Sequence, residues 1–236
     1  MFRALLHGIS RRLPSECLVC RSWPDGPLCQ ACVARFAQPC ARCSGCALPI
    51  PAHTLRCGAC IGQPPPLDAC VAAVPYGYPW AGLIVRFKFH GQPQYADTLA
   101  ALLHHAPWVE PALDGTQLVL PMPLSAQRLR SRGFNQAWEL ARRLAPAKAE
   151  PALLLRIRDT PAQSTLGRAE RLRNLRDAFA VEPRRAGELA GRRIVLVDDV
   201  MTSGASLYSA ARTLRQAGAS HVTGLVLARA DPPAQH

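Results

Sequence analysis

Downstream of Val71 the chain alternates between two hydrophobic periods. Short apolar runs, Ala72–Tyr76, Gln117–Leu120, Arg193–Val197 and His221–Ala228, have the length and residue types of strands. Between them, Ala/Leu/Arg stretches near Asp97–His105, Gln136–Leu144 and Ser206–Ala217 return apolar residues every three or four positions, as helices do. Strand, helix, strand in that rhythm predicts an α/β fold with a parallel sheet. Ile194–Val197 is four consecutive apolar residues, which suits a central strand covered on both faces. In the helix after it, Leu207, Ala210, Ala211 and Leu214 share one face and Gly218 is a natural stop.

Upstream of Val71 neither period holds. Nine of the ten cysteines fall between Cys17 and Cys60, in a stretch broken by Pro24, Pro39, Pro49 and Pro51. Gly62-Gln63-Pro64-Pro65-Pro66 is the predicted linker. The pattern therefore divides the chain into residues 1–62, an N-terminal helix with a cysteine module, and residues 63–236, the α/β domain.

Four Cys-x-x-Cys knuckles, Cys17/Cys20, Cys29/Cys32, Cys43/Cys46 and Cys57/Cys60, supply eight sulfurs, enough for two tetrahedral Zn²⁺ sites. Two intervening residues let one tight turn present both sulfurs to the same ion. A segment too short to bury a core can then fold on the free energy of metal binding, about 10 to 16 kcal/mol per structural site. Disulfides would need an oxidising compartment. Spacing leaves the pairing open between a sequential scheme and a cross-braced one. Cys40 and His53 are the alternative ligands, and Cys70 reads as a small buried hydrophobe.

The chain has 236 residues and is 49% hydrophobic, which lets the larger part bury a core and excludes disorder throughout. Net charge sharpens the picture. Lys and Arg total 28 against 16 Asp and Glu, a net +12, and all but Lys88 and Lys148 are arginine, whose planar fork suits phosphate. Between Pro121 and Arg185, 14 basic and 6 acidic residues concentrate that excess. Phosphate esters and nucleic acid fit such a field, as does a solvated arginine face, so the motifs must decide. No apolar run approaches the ~20 residues of a membrane helix. Arg3, His7, Arg11 and Arg12 interrupt the first segment before any cleavage-like site, which predicts a soluble, untargeted, cytoplasmic protein without membrane insertion.

The sharpest motif follows the central strand: Asp198-Asp199-Val200-Met201-Thr202-Ser203-Gly204-Ala205-Ser206. Ligands of open α/β sheets sit at the carboxyl ends of strands, and a small hydroxyl-rich loop opening a helix offers free N–H groups to phosphate. Upstream, Val119–Leu124 leads into a basic turn with Arg128, Arg130 and Arg132, then Gly133-Phe134-Asn135-Gln136, where Asn135 is the predicted helix cap. Arginines in such a loop can clamp a pyrophosphate bidentately. In Phe87-Lys88-Phe89-His90-Gly91 the pattern predicts both phenylalanines in the core and Lys88 pointing outward; stacking on unpaired bases is the competing use.

The Asp198–Ser206 segment resembles the 5-phosphoribosyl-1-pyrophosphate (PRPP) motif of type I phosphoribosyltransferases, with Ser203 where threonine is commoner. The resemblance implies that Asp198 and Asp199 hold the ribose 2′- and 3′-hydroxyls while Thr202, Ser203, Gly204, Ala205 and Ser206 cradle the 5′-phosphate. With the knuckles, the Arg132–Gln136 run, the series Arg158, Thr160, Gln163, Leu166, Arg171, Asn174, Ala178 and Phe179, and the Phe87–Gly91 segment, nearly the whole chain resembles the ComF family of competence-related phosphoribosyltransferase-like proteins.

That resemblance implies a double zinc ribbon ahead of a type I phosphoribosyltransferase domain, a parallel sheet with helices on both faces. It also implies a role in DNA uptake during natural transformation or in use of external DNA, with a helicase-like competence ATPase as a partner in some bacteria. Type I transfer passes through an oxocarbenium-like ribosyl cation and needs positioning and charge control around Mg²⁺-bound pyrophosphate, not a protein nucleophile. Arg128, Arg130, Arg132 and Lys88 would then meet pyrophosphate or DNA phosphate, and a loop over Thr160–Asn174 would close on the site. Purine transferases often place an acid where Thr202 stands, which disfavours a purine acceptor. The same fold also serves as a nucleotide sensor, so the alternative is a non-catalytic adaptor that binds single-stranded DNA for a competence ATPase.

Overall fold

The structure is a computed structural model that describes residues 15–23, 26–89, 92–158 and 178–231. The predicted N-terminal helix, His90-Gly91, the Thr160–Asn174 loop and the tail from residue 232 lie outside the described residues. The chain forms two compact units, Met1–Gln38 and Pro39–His236.

In the first unit, α1 (Gln30–Phe36) follows the second knuckle, and the Cys29 side chain caps it by accepting the Cys32 N–H. Cys17, Cys29 and Cys32 are the buried cluster here, with Val19 and Phe36 packed against it.

The second unit opens with the other knuckle pair and α2 (Gly58–Gly62). The Pro64-Pro65-Pro66 run that reads as a linker is packed inside this unit: a Cβ added at Gly45 would come within 3.0 Å of Pro65 Cγ. Then follow β1 (Ala69–Pro75), α3 (Trp80–Phe89), α4 (Tyr95–His104), α5 (Val109–Asp114) and β2 (Leu118–Pro121). Next come α6 (Ala126–Arg132), α7 (Gln136–Leu144), β3 (Leu154–Arg156), β4 (Phe179–Val181), β5 (Arg193–Met201), α8 (Ala205–Gln216) and β6 (His221–Arg229).

The main sheet runs β1-β6-β5-β2, and every pair in it is parallel. The predicted α/β class with a parallel sheet is therefore the observed one. Ile194 and Leu196 of β5 face the cluster that contains Leu207, Ala210, Ala211 and Leu214 of α8. Val195 and Val197 alternate to the other face, the side of the packed pair α4 and α7. Because the strands are parallel, Pro75, Pro121, Met201 and Arg229 end on one edge.

Four details depart from the sequence reading. β5 does not stop at the two aspartates but continues to Met201, because β6 still pairs with it through Met201↔Arg229. The basic turn is a helix, α6, since Ser125 Oγ accepts the Arg128 N–H at one end and Gly133, at φ +78°, closes the other. Phe87 is fully buried, whereas Phe89 is 62% exposed and Lys88 turns inward. A separate antiparallel pair, β3 with β4, joins strands of three residues each, too short to show a period.

Candidate functional site

At the carboxyl edge the strands part company. β2 pairs with β5 as far as Pro121↔Val197, and the Met122 N–H makes the last bond, 2.8 Å, to the Val197 carbonyl. Beyond it β5 keeps β6 on one side only. Asp198 and Asp199 stand at the start of that one-sided stretch.

Their surroundings make them chemically unlike each other. The Asp199 N–H donates to Asp198 Oδ1 at 2.9 Å, while Asp199 Oδ1 lies 2.8 Å from Lys88 Nζ, both of those side chains being largely buried. Burial, then the charge of Asp199, push the Asp198 carboxyl up to about 7, and Lys88 pulls the other way. Arg132 completes the cluster. Burial lowers its guanidinium from the ordinary value while the charges of Asp199 and Asp198 support it, and Arg128 opposes it as a like charge.

Arg132 is held on two sides, by a 2.9 Å bond from Nη1 to Gln136 Oε1 and by the Phe89 ring, whose centroid is 4.9 Å from its Cζ. Asn135 caps α7 by accepting the N–H groups of Ala137 and Trp138, as the sequence predicts, and its Nδ2 donates to the Met122 carbonyl at 3.1 Å. That bond ties the end of β2 to the helix that carries Gln136. Arg130 is exposed on α6.

The hydroxyl-rich turn adjoins these groups. Asp198 and residues 200–207 line a hollow of about 40 Å³, room for one water-sized group. Ser203 Oγ accepts the Ala205 N–H, and Gly204 at φ +79° turns the chain into α8. Here glycine is required twice over: a Cβ would meet Met201 Cε and a Tyr208 ring carbon at 2.6 Å. Ala205 and Ser206 belong to the first turn of α8, whose N–H groups lack helical partners. The geometry thus offers carboxylate acceptors for hydroxyls, a largely buried ammonium and a half-buried guanidinium for anions, and a helix amino terminus for phosphate. A larger hollow of about 300 Å³, lined by Pro65, Pro66, Leu67, Asp68, Arg212, Arg215 and Gln216, lies where β1 begins and α8 ends, and none of the predicted site residues lines it.

Gln136 and Phe89 stand in segments the sequence singles out, but their hold on Arg132 escapes sequence reasoning. Gln136 is named in the Arg132–Gln136 run only as part of that motif, and nothing in the sequence shows that the first residue after the Asn135 cap holds Arg132.

The eight knuckle cysteines assemble sequentially, Cys17, Cys20, Cys29 and Cys32 in one cluster and Cys43, Cys46, Cys57 and Cys60 in the other, with all sulfurs of a cluster within 4.8 Å. All ten cysteines are free thiols. Cys20 and Cys29 approach to 3.6 Å between sulfurs, as do Cys46 and Cys57; a disulfide would need about 2.05 Å. Four sulfurs about 2.3 Å from one ion stand about 3.8 Å apart, so both donor sets fit tetrahedral Zn²⁺. Burial alone would raise the Cys43 thiol, but backbone N–H groups of Cys57, Gly45 and Cys46 outweigh it and bring it down to about 7, toward the thiolate a metal needs. Cys40 and His53 stand outside both clusters.

No helix among the described residues is long and apolar enough to cross a membrane.

Residues 129–235 match the family model of the phosphoribosyl transferase domain. The chain is 31% identical over 226 residues to the DNA utilization protein YhgH of Salmonella typhimurium, covering 92% of this chain and 98% of that protein. Competence protein F of Haemophilus influenzae is 33% identical over 226 residues, covering 91% of this chain and 97% of that protein. Competence protein ComFC of Bacillus subtilis is 32% identical over 145 residues, covering 61% of this chain and 57% of that protein.

Proposed function

Since the chain belongs to the ComF family, we propose that it binds PRPP or a related ribose phosphate at the carboxyl edge of its sheet and serves DNA uptake or the use of external DNA. One observation carries the ligand reading: Asp198, the neighbour of the Lys88-paired Asp199, lines the same small hollow as the hydroxyl-rich opening of α8. Carboxylates accept from vicinal ribose hydroxyls, and the N–H groups from Thr202 to Ser206 hold a 5′-phosphate. Lys88 and Arg132, beside the two carboxylates, would meet the pyrophosphate, and Arg128 and Arg130 are the further cations of α6. Mg²⁺ arriving with the pyrophosphate would neutralise part of its charge.

In this reading Lys88 is an exchangeable partner. It neutralises Asp199 in the free protein and transfers to the ligand's phosphates when ribose hydroxyls take over the carboxylate. Ionisation of Asp198 would make both of its oxygens acceptors for them. The reading also has Zn²⁺ in both cysteine clusters as structural ions, in a cytoplasm that keeps thiols reduced.

The test is calorimetric titration of PRPP with Mg²⁺, run with pyrophosphate-release monitoring. Wild type is expected to bind, and Asp198→Asn/Asp199→Asn to lose at least 100-fold in affinity. Equal binding by both would remove the carboxylates from the site. Release of pyrophosphate on addition of an acceptor marks an enzyme, and binding without release marks a sensor.

A second reading, a single-stranded DNA adaptor for a competence ATPase, draws on the exposed Phe89 ring beneath Arg132, a flat cationic surface suited to an unpaired base. Affinity for an oligonucleotide would then fall steeply with salt and weaken in Arg132→Ala, whereas a flat salt dependence would remove this reading.

A further inference from the structure

β6 ends in an arginine that neither the motifs nor the site uses. Arg229 is 4% exposed at the close of the apolar run Leu225–Ala228. Its guanidinium is satisfied by carbonyls from three separate segments. Nε donates to Cys46 O at 2.7 Å, inside the second cysteine cluster. Nη1 donates to Met201 O at 3.0 Å, the end of β5, and to Thr202 O at 2.5 Å, where the hydroxyl-rich turn begins, and also to Ala230 O.

We propose that Arg229 is the positioning residue of the phosphate loop: it fastens the Met201 and Thr202 carbonyls to the backbone of the metal-ligand residue Cys46, so that metal in the second cluster and ribose phosphate at the loop bind with positive coupling. This rests on the ribose-phosphate reading above. A trans peptide points its carbonyl and its N–H in opposite directions. Pinning the Met201 and Thr202 carbonyls on Arg229 therefore aims the N–H groups of Thr202 and Ser203 away from it. Those are donors the phosphate would use. A planar guanidinium is suited to this, because its donors diverge at fixed angles and can hold several carbonyls at once, which an ammonium on a flexible stem cannot do as rigidly.

Packing runs along the same line. Cys70 Sγ lies 3.6 Å from Met201 Sδ, and Met201 and Tyr208 close the space beneath Gly204. Cys43, Cys46 and Cys60 share one buried cluster with Met201, Ala205 and Leu207, and Tyr208 packs against it. The metal fixes the Cys46 turn, the turn fixes Arg229, and Arg229 fixes the loop. Coupling of this kind is reciprocal, so a bound ribose phosphate must hold the metal more tightly by the same factor.

The experiment uses the full zinc-loaded chain. Zinc transfer to a chromophoric chelator is timed with and without PRPP and Mg²⁺, for wild type, Arg229→Lys and Arg229→Met, alongside calorimetric PRPP affinity, zinc content and melting. In wild type, PRPP is expected to slow the release of one of the two ions at least 5-fold and leave the other unchanged. Arg229→Lys, at two zinc ions per chain, is expected to bind PRPP about 10-fold more weakly and to lose that protection. Wild-type binding with neither ion protected overturns the coupling, as does an Arg229→Lys that keeps full affinity and protection; the ribose-phosphate reading survives both. Failure of wild type to bind PRPP takes down that reading and this one together. Should Arg229→Met not fold, the wild-type release rates and Arg229→Lys still decide.

Discussion

The two cysteine clusters are written alike and built alike, yet they support different things. Each joins two knuckles, and in each the third cysteine precedes a short helix, Cys29 before α1 and Cys57 before α2. Around the first cluster the packed residues are Val19 and Phe36. The second shares its buried cluster with Ala72, Leu120, Met201 and Leu207, members of the sheet and of α8. Ligand spacing therefore determines where an ion sits, whereas the apolar residues between and after the ligands determine what that ion holds in place. A metal in the first cluster would order its own turns, whereas one in the second would sit among residues that pack against the sheet and α8.

The largest expected effect sets one cluster against the other. Cys43→Ser and Cys17→Ser should each reduce zinc from two ions to one per chain. Losing the second cluster should lower the main melting transition by roughly 10 °C or more, because a lost metal site exceeds about 4 kcal/mol and each kcal/mol moves a domain of this size by about 2–4 °C. Cys17→Ser should move it by less than about 2 °C. Equal shifts in the two variants, followed by calorimetry, would erase the distinction.

How far could this be foreseen? The runs Ile194–Val197 and Leu225–Ala228 announce central strands because both faces are covered, and the Asp-Asp loop announces an edge site because only strand ends leave carboxylates beside a helix start. Eight knuckle cysteines announce two ions. What stays hidden depends on partners distant in sequence. The inward turn of Lys88 needs Asp199, 111 positions away, and the 62% exposure of Phe89 needs Arg132 lying over it. Arg229 reads as the polar end of a strand until Cys46 and Thr202 come within reach. The packing of the second cluster into the core is equally silent, since its own composition matches that of the first.

Protonation sharpens the comparison, because metal sites of thiolates gain with pH while the carboxylate beside the second cluster's loop does the opposite. The Asp198 carboxyl is raised to about 7, above the ordinary value of 3.8, so between those limits the folded chain binds more protons than the unfolded one. Its contribution is therefore complete at the acid end and is lost as pH rises to about 7. Asp198→Asn should remove this slope, which does not exceed about 1.4 kcal/mol per pH unit, in urea unfolding between pH 4.5 and 7. An unchanged slope would place the carboxyl in water and weaken the case for a poised site.

Cys70 offers the smallest effect and the cleanest separation of ligands from packing. It sits at the seam between the second cluster and the sheet, opposite Gly224 in the β1–β6 ladder, with its sulfur 3.4 Å from where a Cβ on Gly224 would lie. Burial pushes its thiol up to about 12, so at neutral pH it is an uncharged sulfur rather than a thiolate competing for metal. Cys70→Ala removes one buried atom and its contact with Met201, a loss of about 1 kcal/mol by the transfer of a group of that size. Zinc content should stay at two ions per chain, with PRPP affinity within about 2-fold of wild type. If one ion were lost instead, the second cluster would draw on a fifth sulfur, and its difference from the first would lie in its ligands and not in what surrounds them.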